Sequence, residues 1–101
     1  MIYTIEEIKE KIRPIAEKYN LPAVYLFGSY ARGEADEKSD IDIMIDRTGT
    51  KVYGVFTLAG VFGEMREKLN MEIDMITTDV FKHDDDPWFT DSLKKDMVRI
   101  I

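Results

Sequence analysis

The stretch Gly28-Ser29-Tyr30-Ala31-Arg32-Gly33, followed by Asp40-Ile41-Asp42-Ile43-Met44-Ile45 with ten residues between Ser29 and Asp40, decides the reading of this chain. Just before it, Ala23-Val24-Tyr25-Leu26-Phe27 is a continuous apolar run of strand length, which reads as a buried strand. Gly28 and Ser29 stop that strand, and Ser29 to Gly33 reads as a short helical turn closed by Gly33. A second strand is expected from about Asp40 to Asp46, with Ile41, Ile43 and Ile45 on one face. Asp40 and Asp42 then share the opposite face. Asp is disfavoured inside strands, and two carboxylates at i and i+2 repel each other unless a cation lies between them. Hard divalent cations with oxygen ligands meet that need, Mg²⁺ above all where phosphates are present.

Working outward, residues 4–19 read as a helix opened by a Thr4/Glu7 capping box, with Ile5, Ile8, Ile12 and Ile15 as its apolar stripe. Pro14 removes one donor and is expected to kink or split it, and Asn20 and Pro22 end it. After the Thr48-Gly49-Thr50 turn, a long helix is expected over 51–69, with Val52, Val55, Ala59, Phe62 and Leu69 on one side. Gly54, Gly60 and Gly63 each weaken it by about 1 kcal/mol relative to Ala, and are read as allowing close helix–sheet packing. Residues 71–77 read as a third strand, and Asp86-Pro87 as the N-cap and first turn of a last helix striped by Phe89, Leu93, Met97 and Ile100. The order is α-β-α-β-α-β-α, an α/β (α+β) fold with a small mixed sheet of three or slightly more strands flanked by helices. Strands two and three, joined through a helix, should be parallel neighbours. Strands one and two should be antiparallel if Ser29 and Asp40 share a site. Asp74 in the third strand is then placed to complete a carboxylate cluster, and three carboxylates suit a two-metal site for in-line phosphoryl displacement.

Composition narrows the field. The 101 residues are 45% hydrophobic and 34% charged, which fits one folded domain over 1–101. With 14 basic and 20 acidic residues the net charge is −6, which argues against direct binding to nucleic-acid backbones. The chain has no cysteine and a single histidine, which excludes disulfides, zinc–thiolate sites, thiol nucleophiles and His-rich cages. No apolar run is long enough to span a membrane, and the N-terminus lacks the zones of a signal peptide, so a cytoplasmic protein is expected.

Taken jointly, Gly28-Ser29, ten residues, Asp40-Ile41-Asp42 and then Asp74 resemble the signature of the DNA polymerase β-type nucleotidyltransferase superfamily. The context from Gly28 through Gly33 and on to Ile45 is similar to its minimal nucleotidyltransferase (MNT) branch, and the resemblance covers essentially the whole chain. It implies that Gly28 and Ser29 hold the β- and γ-phosphates of a nucleoside triphosphate, most simply ATP. Asp40 and Asp42 would bind two Mg²⁺ ions. Asp74 would ligate the catalytic ion and help to deprotonate the attacking hydroxyl. Arg32 would add positive charge near the triphosphate, or serve the fold alone. MNT proteins are commonly paired with a HEPN protein, a helical RNase-type toxin, and similar proteins AMPylate a toxin tyrosine as antitoxins. The resemblance therefore implies AMP transfer to a hydroxyl of a HEPN-type toxin partner, within a hetero- or homo-oligomer.

Two other functions compete. One is an antitoxin that neutralises its partner by contact alone and keeps the fold as scaffold. The other is a small-molecule nucleotidyltransferase, disfavoured because no acceptor-binding domain fits in this length. Several residues carry plainer readings: Asp46 as a solvated strand end, Glu72 as a solvated neighbour of Asp74 before an extra ligand, His83 as a surface residue, and Asp84 to Asp86 as a helix-dipole partner. Tyr30 is read as either a nucleotide contact or a packing residue, and Trp88 and Phe89 as core or interface. The chain closes on Val98-Arg99-Ile100-Ile101, without the further stretch that many MNT proteins carry. That apolar end is expected to pack on this fold or on another subunit. Activity would fall if the missing stretch bound nucleotide or toxin.

Overall fold

A computed structural model describes residues 2–82 and 87–101. Helix α1 (Ile5–Lys18) opens on the expected capping box: Thr4 accepts from the Glu7 amide and the Glu7 carboxylate accepts from the Thr4 amide. Ile8, Ile12, Ile15 and Ala16 form its buried face. Pro14 neither splits nor ends the helix. It lies on the exposed face, where water can satisfy the carbonyl that loses its amide partner. The helix closes with Asn20 at φ 56° and the Leu21 amide donating to the Ala16 carbonyl at 2.9 Å, a Schellman arrangement.

Four strands form one mixed sheet. They are β1 (Ala23–Phe27), β2 (Ile41–Asp46), β3 (Ile73–Thr77) and the short β4 (Val98–Arg99), in the order β3-β2-β1-β4. β1 runs antiparallel to β2 and to β4, and β2 runs parallel to β3, as the crossover argument requires. The five-residue helix α2 (Gly28–Arg32) follows β1 directly and ends at Gly33 with φ 73°. Helix α3 (Val55–Leu69) makes the crossover, a 3-10 turn covers Thr78–Phe81, and α4 (Pro87–Asp96) precedes β4. Ile41, Ile43 and Ile45 of β2 join Val24, Leu26, the α1 isoleucines and Val61, Met65 and Leu69 of α3 in one core. Met44 points the other way and is also fully buried, so the centre of the sheet is covered on both faces.

Several sequence expectations need correction. The third helix starts at Val55, not Lys51, because the segment before it is pinned as a turn. Thr50 Oγ1 donates to the Arg47 carbonyl at 2.7 Å and accepts from the Val52 amide, and the Arg47 guanidinium donates to the carbonyls of Val52 and Tyr53. Its buried stripe is Val61, Met65 and Leu69, while Val55 is 79% exposed. Its glycines do not serve close packing: Gly54 caps the helix, a Cβ added at Gly63 would meet nothing within 4 Å, and one at Gly60 would make ordinary contact with Tyr19. The last helix stops at Asp96, so Ile100 is buried beyond it, its amide donating to the Val24 carbonyl at 2.8 Å. The apolar end thus packs on this fold. Trp88, 79% exposed, and Phe89, 48% exposed, are not core. The readings of His83 and of Asp84 to Asp86, including Asp86 as N-cap, lie outside the described residues. No helix among the described residues is long and apolar enough to cross a membrane.

Candidate active site

The sheet register brings the sequence-predicted residues together. Phe27 pairs with Asp42 across β1 and β2, and Asp42 pairs with Asp74 across β2 and β3, so the three stand abreast at one end of the sheet. Gly28 follows Phe27 and turns the chain with φ 69°. That left-handed conformation favours glycine, and so does space: a Cβ on Gly28 would collide with the Asp42 carboxylate. The turn read from the sequence therefore lies against the Asp42 carboxylate. Ser29 is half-buried, and its hydroxyl has no hydrogen bond to any other described residue.

Asp42 is the electrostatic centre. Its carboxyl is pushed up to about 6, first by burial, then by the charge of Asp74 and a hydrogen bond with it, then by Asp40, against a smaller opposite pull from Arg32. Asp74 and Asp40 are both exposed. Among the described residues no three acidic or histidine side chains are arranged to hold one metal ion. What the structure provides is a facing pair, Asp42 and Asp74, with Asp40 two residues from Asp42 on the exposed side. The donor set suits a hard divalent cation: two facing carboxylates whose mutual repulsion such an ion relieves, at a mouth open to solvent.

The remaining residues sort themselves. Arg32 is held by Glu34 at 3.1 Å and by Asp96 at 3.0 Å, so its guanidinium ties α2 to the end of α4 while its charge still reaches Asp42. Tyr30 is buried, with its hydroxyl 3.9 Å from the Met71 sulfur, and is a packing residue. Glu72 accepts from the Ile41 amide through its carbonyl, and its exposed carboxylate pairs with Arg66. Asp46 ends β2 and accepts from the Thr48 amide at 2.9 Å. A separate groove, lined by Phe62, Gly63 and Arg66, lies between the C-terminal half of α3 and the segment before β3 and includes none of these residues but Glu72.

The model of the polymerase beta nucleotidyltransferase family matches residues 10–96. The chain belongs to that family. It is therefore a nucleotidyltransferase, with the motif residues at the geometry just described. A Methanocaldococcus jannaschii protein named as a protein adenylyltransferase is 32% identical over 101 residues, covering 96% of this chain and 98% of its own. Two solved structures share the fold. A toxin–antitoxin structure with AMP-PNP superposes with a TM-score of 0.70 at 19% identity, over 92% of this chain and 72% of that one. The complex of tri-AMPylated Shewanella oneidensis HEPN toxin with MNT antitoxin gives 0.65 at 17% identity, over 97% and 72%.

Proposed function

We propose that this nucleotidyltransferase moves AMP from ATP to a protein hydroxyl, a tyrosine of a HEPN-type toxin partner, and so acts as an antitoxin in the cytoplasm. The observation that carries the reading is the row formed by Gly28, Asp42 and Asp74, in which the glycine turn after β1 lies against Asp42 and Asp42 faces Asp74. The names of the relatives and neighbours support the choice of AMP and of the partner.

In this reading Gly28 and Ser29 seat the β- and γ-phosphates through backbone amides and the Ser29 hydroxyl. Asp40, Asp42 and Asp74 would hold two Mg²⁺ ions, which when bound neutralise the phosphates and ease deprotonation of the acceptor. The acceptor oxygen attacks the α-phosphorus in line. One P–O bond forms, the bond to pyrophosphate breaks, and the hydroxyl proton passes to the Asp74 carboxylate. Little covalent work falls to the protein: positioning and charge neutralisation suffice for phosphoryl transfer.

A second reading, neutralisation by contact alone, is favoured by the exposed apolar side chains of Tyr53, Val55, Phe56 and Trp88. One experiment separates the two. The protein is incubated with its HEPN-type partner, Mg²⁺ and each of the four nucleoside triphosphates, and the partner is weighed by intact-mass spectrometry. The enzyme reading expects added nucleotide units with ATP, abolished in the Asp40→Asn/Asp42→Asn double variant. Neutralisation that survives in a folded double variant, with no mass gained by wild type, would leave contact as the function.

A further inference from the structure

Arginine presents its N–H donors as a rigid planar fork, so one edge can be anchored while the other binds an anion. Arg32 is anchored in that way. Its Nε donates to Glu34 at 3.1 Å and its Nη1 to Asp96 at 3.0 Å, while its Nη2 donates to no other described residue. The two anchors differ in kind. Glu34 is a local, exposed neighbour in the chain, whereas Asp96 is brought to Arg32 from 64 residues away.

Arg32 stands where an anchored fork is useful. It lies one helical turn after Gly28 and Ser29 on α2. Residues at that spacing share a helix face, and a helical side chain leans back over the turn before it. The charge of Arg32 accordingly reaches Asp42, which the Gly28 turn touches. Asp96 supplies a second, independent observation. It is the last residue of α4, where the partial negative charge of the terminal carbonyls disfavours a carboxylate. Lys94 and Lys95 in the same turn are what that end of a helix favours. Asp96 goes against this local preference, and the ion pair with Arg32 is the contact it makes there.

We propose that Asp96 is a positioning residue for the nucleotide, acting through Arg32: it holds one edge of the guanidinium so that the other donates to the triphosphate. The proposal rests on the nucleotidyl-transfer reading above, in which Gly28 and Ser29 seat the phosphates. Asp96 itself touches no phosphate. Its work is to spare Arg32 the loss of side-chain freedom that fixing a long cation on binding would otherwise cost.

The test uses the full chain with Mg²⁺ and a fluorescent ATP analogue, and its HEPN-type partner for transfer. Asp96→Ala is expected to bind the analogue at least about threefold more weakly, within the worth of an exposed ion pair. Asp96→Asn keeps an oxygen that accepts from Nη1 and should recover most of that loss. Arg32→Ala should lose at least about tenfold. The Arg32→Ala/Asp96→Ala double variant should lose no more than Arg32→Ala, since Asp96 acts through the guanidinium. In transfer, the Asp96→Ala loss should lie in KM for ATP and leave KM for the partner unchanged. Losses that add in the double variant overturn the proposal. So does an Asp96→Ala affinity equal to wild type, or tighter, which would make Asp96 a competitor of phosphate for Arg32. If Asp96→Ala does not fold, Arg32→Lys decides, because a point charge cannot hold a carboxylate and a phosphate on separate edges. Wild-type affinity in Arg32→Lys overturns the proposal. A wild-type protein that binds no analogue removes the nucleotidyl-transfer reading and the proposal with it. Wild-type binding and transfer with no change in Asp96→Ala removes the proposal alone.

Discussion

At the scale of single residues, Gly28 and Asp42 are coupled by space. Gly28→Ala has to carry a Cβ at φ 69° and push the Asp42 carboxylate aside. The strained backbone alone costs about 1 kcal/mol. If Asp42 acts as proposed, displacing it by an ångström costs on the order of 100-fold in rate. The variant is expected to stay folded in thermal denaturation and to lose about that much transfer by mass spectrometry. A near-wild-type rate would show that the turn and the carboxylate act independently. Asp42 also sets a pH dependence. Its folded value, about 6, lies above the ordinary carboxylate value of 3.8, so the folded state holds its proton more tightly than the unfolded chain. A raised carboxylate contributes stability below about pH 4 and loses it as pH rises toward 6. Asp42→Asn should therefore flatten that decline and stabilise the metal-free protein at pH 7. The gain is about 1 kcal/mol once solvent screening of this half-buried group is allowed for. Denaturant unfolding in a chelator at pH 4.5 and pH 7 measures it, and an equal pH slope in the two proteins would rule it out. A site residue that destabilises its own fold is what a charge kept for function looks like.

Elements were legible where their signals are local. The Thr4/Glu7 box, the Ala23 to Phe27 run, the isoleucine alternation of β2 and Gly33 after α2 each encode their structure within a few residues. The start of α3 was not legible, because it depends on Arg47 reaching forward to the carbonyls of Val52 and Tyr53 and sideways to Asp79 at 2.6 Å. That network yields a prediction. Arg47 and the Thr77 hydroxyl hold the Asp79 carboxyl below its usual value. A lowered carboxylate contributes stability at neutral pH that is lost as pH falls through its folded value. Asp79→Asn should cost about 1 kcal/mol at pH 7 and progressively less as pH falls below 4. It should also speed amide exchange in residues 48–54, read by hydrogen–deuterium exchange, while exchange in α1 stays unchanged. On α3 itself, Gly63→Ala should raise stability by about 1 kcal/mol, since its Cβ meets nothing and the helix gains propensity. A loss on thermal melting would mean the glycine has a packing partner after all.

For the whole molecule, the sequence order of the strands and their spatial order, β3-β2-β1-β4, make the site. The motif spacing located β1, β2 and β3 because each carries a piece of it. β4 carries none, and two residues with no alternating pattern cannot announce a strand. The segment around β4 nonetheless braces the β1 side of the site. Asp96, just before it, holds Arg32 of α2 at 3.0 Å, and Ile100, just after it, buries its side chain and bonds the Val24 carbonyl. Removing residues 97–101 should therefore be felt first at β1 and α2, the side proposed to seat the phosphates, and least at β3. Loss of the buried Ile100 alone is worth about 2–5 kcal/mol by comparison with large-to-small core changes. The truncated chain should melt lower, and hydrogen–deuterium exchange should rise in residues 23–32 well before it rises in 73–77. Triphosphate affinity, measured with a fluorescent ATP analogue, should drop with it, because Gly28 is held in place from that side. Uniform exchange across the sheet would instead mean that the four strands open as one unit and that β4 has no particular hold on the phosphate turn.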